Sequence, residues 1–311
     1  MSNSVANIYF ANGTNVSVAK IEGSAAYKKE LRTPDVNRHS VIDNRQTILG
    51  QKLLRGYLPS WLGGHHDHSH RSLSGMLRAL KTASDSYLEA SVSTAEITTP
   101  FPISMGLFDT LRSTVNSLYI QVHETPVSPA GKLVAPLEYG IGPGECDSYL
   151  EPNDPRQLFL TVEHTRAALT ALLVSEECGV YNTVRDLHET DLRTDSLSEI
   201  PSSDRAIKLA DALRGIITLP PEDHLQKPEL FKSLRNVALL GESAADLLLH
   251  DVLKYVLGRQ QQQMGFFLAT AGDGYRGPID PVFTPSMAAA WLNLIRSETD
   301  SSHSELYRYT H

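Results

Sequence analysis

A chain of 311 residues has material for two modest domains, or for one domain of two lobes. Its hydrophobic content of 41% and charged content of 21% support a packed core and exclude general disorder. A formal charge of −8 excludes broad binding to a phosphate backbone, so no nucleic-acid partner is expected. At the N-terminus, Met1-Ser2-Asn3-Ser4 lacks the basic-then-apolar layout of a secretory leader. Asn7-Ile8-Tyr9-Phe10 then reads as a strand, Ala11 to Asn15 as a polar turn, and Val16-Ser17-Val18-Ala19 as the returning strand. Ala25 to Leu31 reads as a third strand. Residues 32–47 are polar and irregular, and Ile48 to Leu54 reads as a short helix. Pro59 to Arg71 reads as a loop carrying His65, His66, Asp67, His68 and His70. Alternating histidines can chelate Zn²⁺ or Ni²⁺, but a glycine-led loop with adventitious affinity is the simpler reading, and no metal site is expected.

From Ser72 to Glu89, Leu73, Met76, Leu77, Leu80, Ala83 and Tyr87 recur at helical spacing. Val92 to Pro100 reads as a strand and Gly106 to Ser117 as a helix. Pro129 to Gly142 reads as helical, interrupted at Pro136 and ended by glycine. Residues 143–157, rich in Gly, Pro, Asp and Asn, read as a linker. The second half repeats the opening pattern. Leu158-Phe159-Leu160-Thr161 reads as a strand, Val162 to Arg166 as a turn, Ala168 to Val174 as a strand, and Gly179 to Glu189 as a third strand. Ser202 to Ile217 reads as a helix, Pro220 to Pro228 as a loop, and Asn236 to Leu240 as a strand ending in Gly241-Glu242-Ser243. A helix from Ala244 to Leu257 and a last helix within Pro281 to Arg296 complete the pass. Gln260 to Gln263 reads as a solvated loop or helix edge, and residues 297–311 as a polar, fraying end.

No apolar run reaches the roughly 18 residues of a spanning helix, so no membrane partner is expected. Two cysteines, Cys146 and Cys178, argue against a disulfide scaffold and for a reducing, cytoplasmic setting. In that setting Asn12-Gly13-Thr14 and Asn15-Val16-Ser17 are unused as glycosylation sites. Asp273 sits in too brief a match for a calcium loop. No G-x-S-x-G, Walker A, H-E-x-x-H or paired C-x-x-C motif is present.

Several segments, in order, resemble the ATPase domain of the actin and seventy-kilodalton heat-shock chaperone superfamily. The first hairpin is similar to its first phosphate loop. Thr99-Pro100-Phe101-Pro102, the next helix and Pro129 to Gly142 are similar to its crossover and first connecting helix. Leu158 to Leu187 resembles the second phosphate loop with its strands. Val237-Ala238-Leu239-Leu240-Gly241-Glu242-Ser243 resembles the adenosine loop, and Pro278-Ile279-Asp280-Pro281 to Leu292 the closing helix. The resemblance implies an α/β, two-lobed actin-like ATPase fold with reduced outer subdomains. The first lobe is expected to span residues 1–150, joined by a returning helix at 278–311, and the second lobe residues 151–277.

The departures bear on function. The resemblance puts an aspartate at the start of each phosphate loop; Ala11 and Val162 stand there. It also implies glycines in the second loop, which let backbone N–H groups approach phosphate; Glu163, His164, Thr165 and Arg166 fill that stretch. Without the aspartates, Mg²⁺ and the attacking water lose their anchors. No ATP hydrolysis and no cofactor are therefore expected.

Two functions remain. The first is a pseudo-ATPase that serves as a binding or scaffold protein for a protein partner or small organic ligand. The alternative is a cofactor-independent cyclase, isomerase or lyase that uses the former nucleotide cleft. Its candidate catalytic residues are Glu163 and His164 as acid and base and Arg166 as an anion-binding group. Candidate ligand-binding residues are Asn12 and Thr14 on one wall, Glu138 and Tyr139 on the connecting helix, and Gly241, Glu242 and Ser243 in the adenosine-loop segment. Against these stand plainer roles: turn formation by Asn12 and Thr14, helix capping by Glu242 or Ser243, and packing by Tyr139. An enclosed pocket with shifted pKa values would favour the enzyme, and an exposed apolar patch the scaffold.

Overall fold

The computed structural model describes residues 3–10, 12–32, 68–101, 103, 105–122, 128–139, 157–177, 180–218, 233–258, 265–268 and 280–292. The expected helix at Ile48–Leu54, His65, His66 and Asp67, the linker at 143–156, the loop at Pro220–Pro228, Gln260–Gln263, Cys146, Cys178, Asp273 and residues 293–311 lie outside them.

β1 (Asn3–Tyr9) and β2 (Asn15–Glu22) form the expected antiparallel hairpin, with a register shift between Ala6 and Asn7. At its turn Gly13 has φ +82°. The Asn12 Oδ1 accepts from the Thr14 N–H at 2.9 Å and the Thr14 hydroxyl at 2.6 Å. Ala25 to Leu31 is not a third strand but lies in helix α1 (Ala25–Arg32). The Ser24 hydroxyl accepts from the Tyr27 N–H at 3.2 Å, and the Ala-, Lys-, Glu- and Leu-rich run that follows favours helix over strand.

α2 (His68–Leu88) begins earlier than expected, taking His68 to Arg71 out of the loop. The expected strand at Val92–Pro100 is two short ones, β3 (Thr94–Ala95) and β4 (Thr98–Thr99). After α3 (Met105–Ser117), β3 pairs in parallel with β5 (Gln121–Val122) and β4 with β6 (Ser128–Pro129), so different partners divide the extended segment. Leu111, Val115, Leu118 and Ile120 pack with Leu73 and Leu77 of α2. α4 (Ala130–Tyr139) runs through Pro136 rather than breaking there. The ring removes one N–H, and here one missing bond does not end the helix.

The second half is built on a five-stranded sheet. β7 (Gln157–His164), β8 (Leu169–Glu177) and β9 (Val180–Glu189) follow one another antiparallel. A 3₁₀ turn (Thr190–Leu192), α5 (Thr194–Ser198) and α6 (Ser202–Thr218) come next. β10 (Ser233–Leu240) joins β7 in parallel, α7 (Leu247–Leu257) follows, and β11 (Gly265–Leu268) joins β10 in parallel. The strand order is β11-β10-β7-β8-β9. A helix at 284–292, α8, completes the described elements.

Period-two alternation gives β7 two different faces. Leu158, Leu160 and Val162 pack with Leu209 and Leu213 of α6 and Leu249 and Leu253 of α7. On the other face, Phe159 joins Leu172, Val174, Tyr181 and Ala135 of α4. Leu133 and Val134 of α4 meet Ala288, Ala289 and Leu292 of α8 over Leu240. Each fully buried leucine here contributes about 2 kcal/mol. Gly131 lets α4 lie close: a Cβ there would sit 2.0 Å from the Thr161 hydroxyl oxygen. α7 is capped by Asp246, whose carboxylate accepts from the Leu248 N–H at 2.9 Å, so neither Glu242 nor Ser243 is its cap. The architecture is mixed α/β, with helices on both faces of the larger sheet. Among the described residues, no helix is long and apolar enough to cross a membrane.

Candidate functional site

The Phe159 face of the large sheet is covered by α4 over part of its length and opens beyond Ala130 into a cavity of about 450 Å³. That is the size of a small-ligand site. Its other wall comes from β1, α2 and the β3–β4 segment.

Register builds the polar floor of this cavity. Glu163 of β7 is the cross-strand partner of Thr170 of β8, and Thr170 is the partner of His188 of β9. All three line the cavity. The Thr170 hydroxyl lies 2.9 Å from His188 Nδ1, and the Phe101 ring leans over the imidazole with centroids 4.1 Å apart.

A tight turn brings a second carboxylate alongside. Gly241 ends β10 with φ +84°, and a Cβ there would lie 2.9 Å from the His164 carbonyl oxygen and 3.2 Å from Glu163 Cγ. The turn is held by Gly241 N–H donating to Pro281 O at 3.2 Å and Ser243 N–H donating to His164 O at 3.1 Å. Glu242, next in the chain, lines the cavity with Glu163. Burial pushes the Glu163 carboxyl up to about 7, and the Glu242 charge adds to the rise.

On the opposite wall, both side-chain polar atoms of Asn7 are buried with no hydrogen-bond partner among the described residues. Ser4 and Tyr27 pair through their hydroxyls at 3.0 Å. Lys81, the cation lining this wall, bonds Asp85 at 2.7 Å and the Ser91 hydroxyl at 2.9 Å. The Lys81 ammonium and then the Val92 N–H hold the Asp85 carboxyl below its usual range.

The residues expected from sequence are divided by this geometry. Glu163, Gly241 and Glu242 line the cavity. Glu163 and His164 lie in strand β7 rather than in the turn, so they face opposite sides and form no acid–base pair. His164 is buried in the α6–α7 side, its Nε2–H donating to the Leu192 carbonyl at 3.0 Å. Burial lowers its pKa, opposed by the Leu192 bond and by Asp246. Arg166 is about half exposed, with Nε 3.7 Å from Glu242 Oε2 and 4.0 Å from Asp195 Oδ1, and does not line the cavity. Asn12 and Thr14 bond each other in an exposed turn outside the lining. Ser243 contributes its backbone N–H rather than a cavity wall. Glu138 and Tyr139 end α4, and their side chains lie outside the described set.

Thr170, His188, Asn7 and Phe101 are the site residues sequence reading missed. Placing the second turn at Thr165–Ala168 rather than at Val162–Arg166 would have set Thr170 opposite Glu163.

The two tight turns use several of their own backbone donors. In the second turn, the Ala167 and Ala168 N–H groups donate to the Thr165 hydroxyl at 3.1 and 3.3 Å, and the Thr165 N–H to Ala168 O at 3.0 Å. In the first, the Gly13 N–H donates to Phe10 O at 2.9 Å, and the Thr14 N–H is taken by Asn12. The Thr165, Ala167 and Ala168 N–H groups of one turn and the Gly13 and Thr14 N–H groups of the other are thus engaged locally rather than turned toward an anion. Glu163 and Glu242 would also repel it.

No protein-family model matches the chain, and no curated protein matches it.

Proposed function

We propose that the chain is a degenerate, actin-like or heat-shock-chaperone-like protein that does not hydrolyse ATP and binds a small organic molecule in the former nucleotide cleft, in a reducing, cytoplasmic setting. The fold part of this reading is supported by the second half. A hairpin and third strand lie on one side of β7, and two strands added in parallel lie on the other. The cleft then falls between that sheet and the N-terminal hairpin. The first half follows the resemblance less closely, because α1 stands where a third strand was expected. The observation that carries the function is the Glu163–Glu242 pair lining the cavity beside the closed turn. It disfavours a triphosphate and suits a ligand that carries hydrogen-bond donors.

Phosphate release from Mg·ATP tests this reading. The expected result is release at the buffer rate. Turnover that scales with protein and responds to changes at Glu163 would sink it.

One observation favours a second reading, a cofactor-independent isomerase, cyclase or lyase. Burial pushes the Glu163 carboxyl up to about 7 at the wall of a partly open cavity, which suits it to gain and lose a proton. Its acid–base partner across the floor would be His188 rather than His164. Substrate turnover lost in both Glu163→Gln and His188→Ala, with binding retained, would establish it.

A further inference from the structure

The cavity has a polarity along its length. At one end Glu163 and Glu242 enter from β7 and from the β10–α7 turn. At the other, Phe101 lies against His188, two strands from Glu163. Neighbouring strands are about 4.8 Å apart, so the floor runs about 10 Å from carboxylate to aromatic ring. Two carboxylates lining one end of a cavity are costly unless a cation or a proton lies between them. Arg166 Nε lies 3.7 Å from Glu242 Oε2 but outside the cavity lining, and the lining cation Lys81 is held by Asp85 and Ser91 on the opposite wall. Asn7, with both polar atoms buried and unpartnered among the described residues, offers a carbonyl acceptor and an amide donor from that wall.

We infer that the Glu163–Glu242 end of the cavity takes the ammonium head of an amphiphilic organic amine whose apolar body lies toward Phe101. This assignment rests on the small-molecule reading of the cleft and narrows it to a cationic class. The carboxylates supply the charge-assisted acceptors, and the Phe101 end takes an aryl or alkyl group a few bonds from the nitrogen.

Binding should depend on pH, because the proton on Glu163 competes with the ammonium. Other titratable groups facing the same space are Glu242, Glu96, His188, Lys81, Tyr9 and Tyr27, and Arg166 stands 3.7 Å from Glu242 just outside it. With Glu163 held near 7, moving from pH 6 to pH 8 changes its ionised fraction about tenfold.

The test is calorimetric titration of the full chain with 2-phenylethylamine, which stays protonated over this range, beside 2-phenylethanol and 3-phenylpropionate. The amine is expected to bind, about tenfold more tightly at pH 8 than at pH 6, and both comparison compounds at least tenfold more weakly. Glu163→Gln, an isostere of the protonated side chain, should weaken the amine about tenfold and flatten its pH dependence. Glu242→Gln gives a second readout: removing the neighbouring charge should move the pH dependence to lower pH. Equal binding of the alcohol, preferential binding of the carboxylate, a pH-independent amine, or no amine binding at several millimolar each overturns the cationic assignment. Tight ATP binding would instead overturn the non-nucleotide reading beneath it, whereas alcohol or carboxylate binding leaves that reading in place.

Discussion

His164 Nε2 donates to the Leu192 carbonyl at 3.0 Å, on the side of β7 away from Glu163. One residue along a strand reverses the direction of a side chain. The histidine that looked catalytic therefore ties the sheet to the 3₁₀ turn after β9. Its Nδ1 is buried with no partner among the described residues, which suits a neutral ring.

His164→Ala should lower stability by about 2–4 kcal/mol, since it opens a cavity and orphans the Leu192 carbonyl. The pH dependence has a definite sign. Burial depresses the folded-state pKa below the ordinary 6.5. Stability from the neutral ring is complete above that value and is lost as pH falls below it, because the unfolded chain then binds a proton the folded ring resists. His164→Gln keeps an N–H donor but cannot titrate, so its loss of stability from pH 7.5 to 5.5 should be shallower than wild type in urea unfolding. Identical slopes would contradict the assignment.

Glu163 works in the opposite sense. It ionises near 4.5 when unfolded and near 7 when folded. Between those values the folded state holds the extra proton, so rising pH lowers stability until the deficit levels off above 7. Glu163→Gln should gain up to about 3 kcal/mol over wild type at pH 8 and almost nothing at pH 4. A loss of stability at pH 8 would show that the carboxylate has a favourable partner instead.

Glycine substitutions should divide by location. Gly131→Ala drives a methyl into Thr161 and Leu172 and should cost roughly 3 kcal/mol. Gly241→Ala combines φ +84° with contact on the His164 backbone, and should both lower stability and disturb the Glu242 end of the cavity. Gly75 in α2 has nothing within 4 Å of its would-be Cβ, so Gly75→Ala should gain about 0.5–1 kcal/mol. Denaturant midpoints of the three variants check the ordering, and a stabilised Gly131→Ala would refute the close packing of α4.

What the sequence revealed follows from the range of the interaction. Both hairpins and most helices announce themselves locally, through alternation and helical spacing. Ala25–Leu31 was misread because a short mixed run suits strand or helix, and the Ser24 cap decides it. The second turn was placed about three residues early, which is trivial for the fold and decisive for the site, since it put His164 beside Glu163 in the cleft. Thr170 and His188 were invisible because only strand register joins them to Glu163. Asn7 escaped notice for a related reason: a buried amide without partners is a property of the assembled cavity.

The proposal that this cavity takes no nucleotide is tested most directly by calorimetric titration with ATP, with and without Mg²⁺. The account predicts no heat of binding up to several millimolar in either condition, because several turn donors are engaged locally and two carboxylates line the space. Sub-millimolar binding that strengthens with Mg²⁺ would contradict it and restore a nucleotide-controlled function.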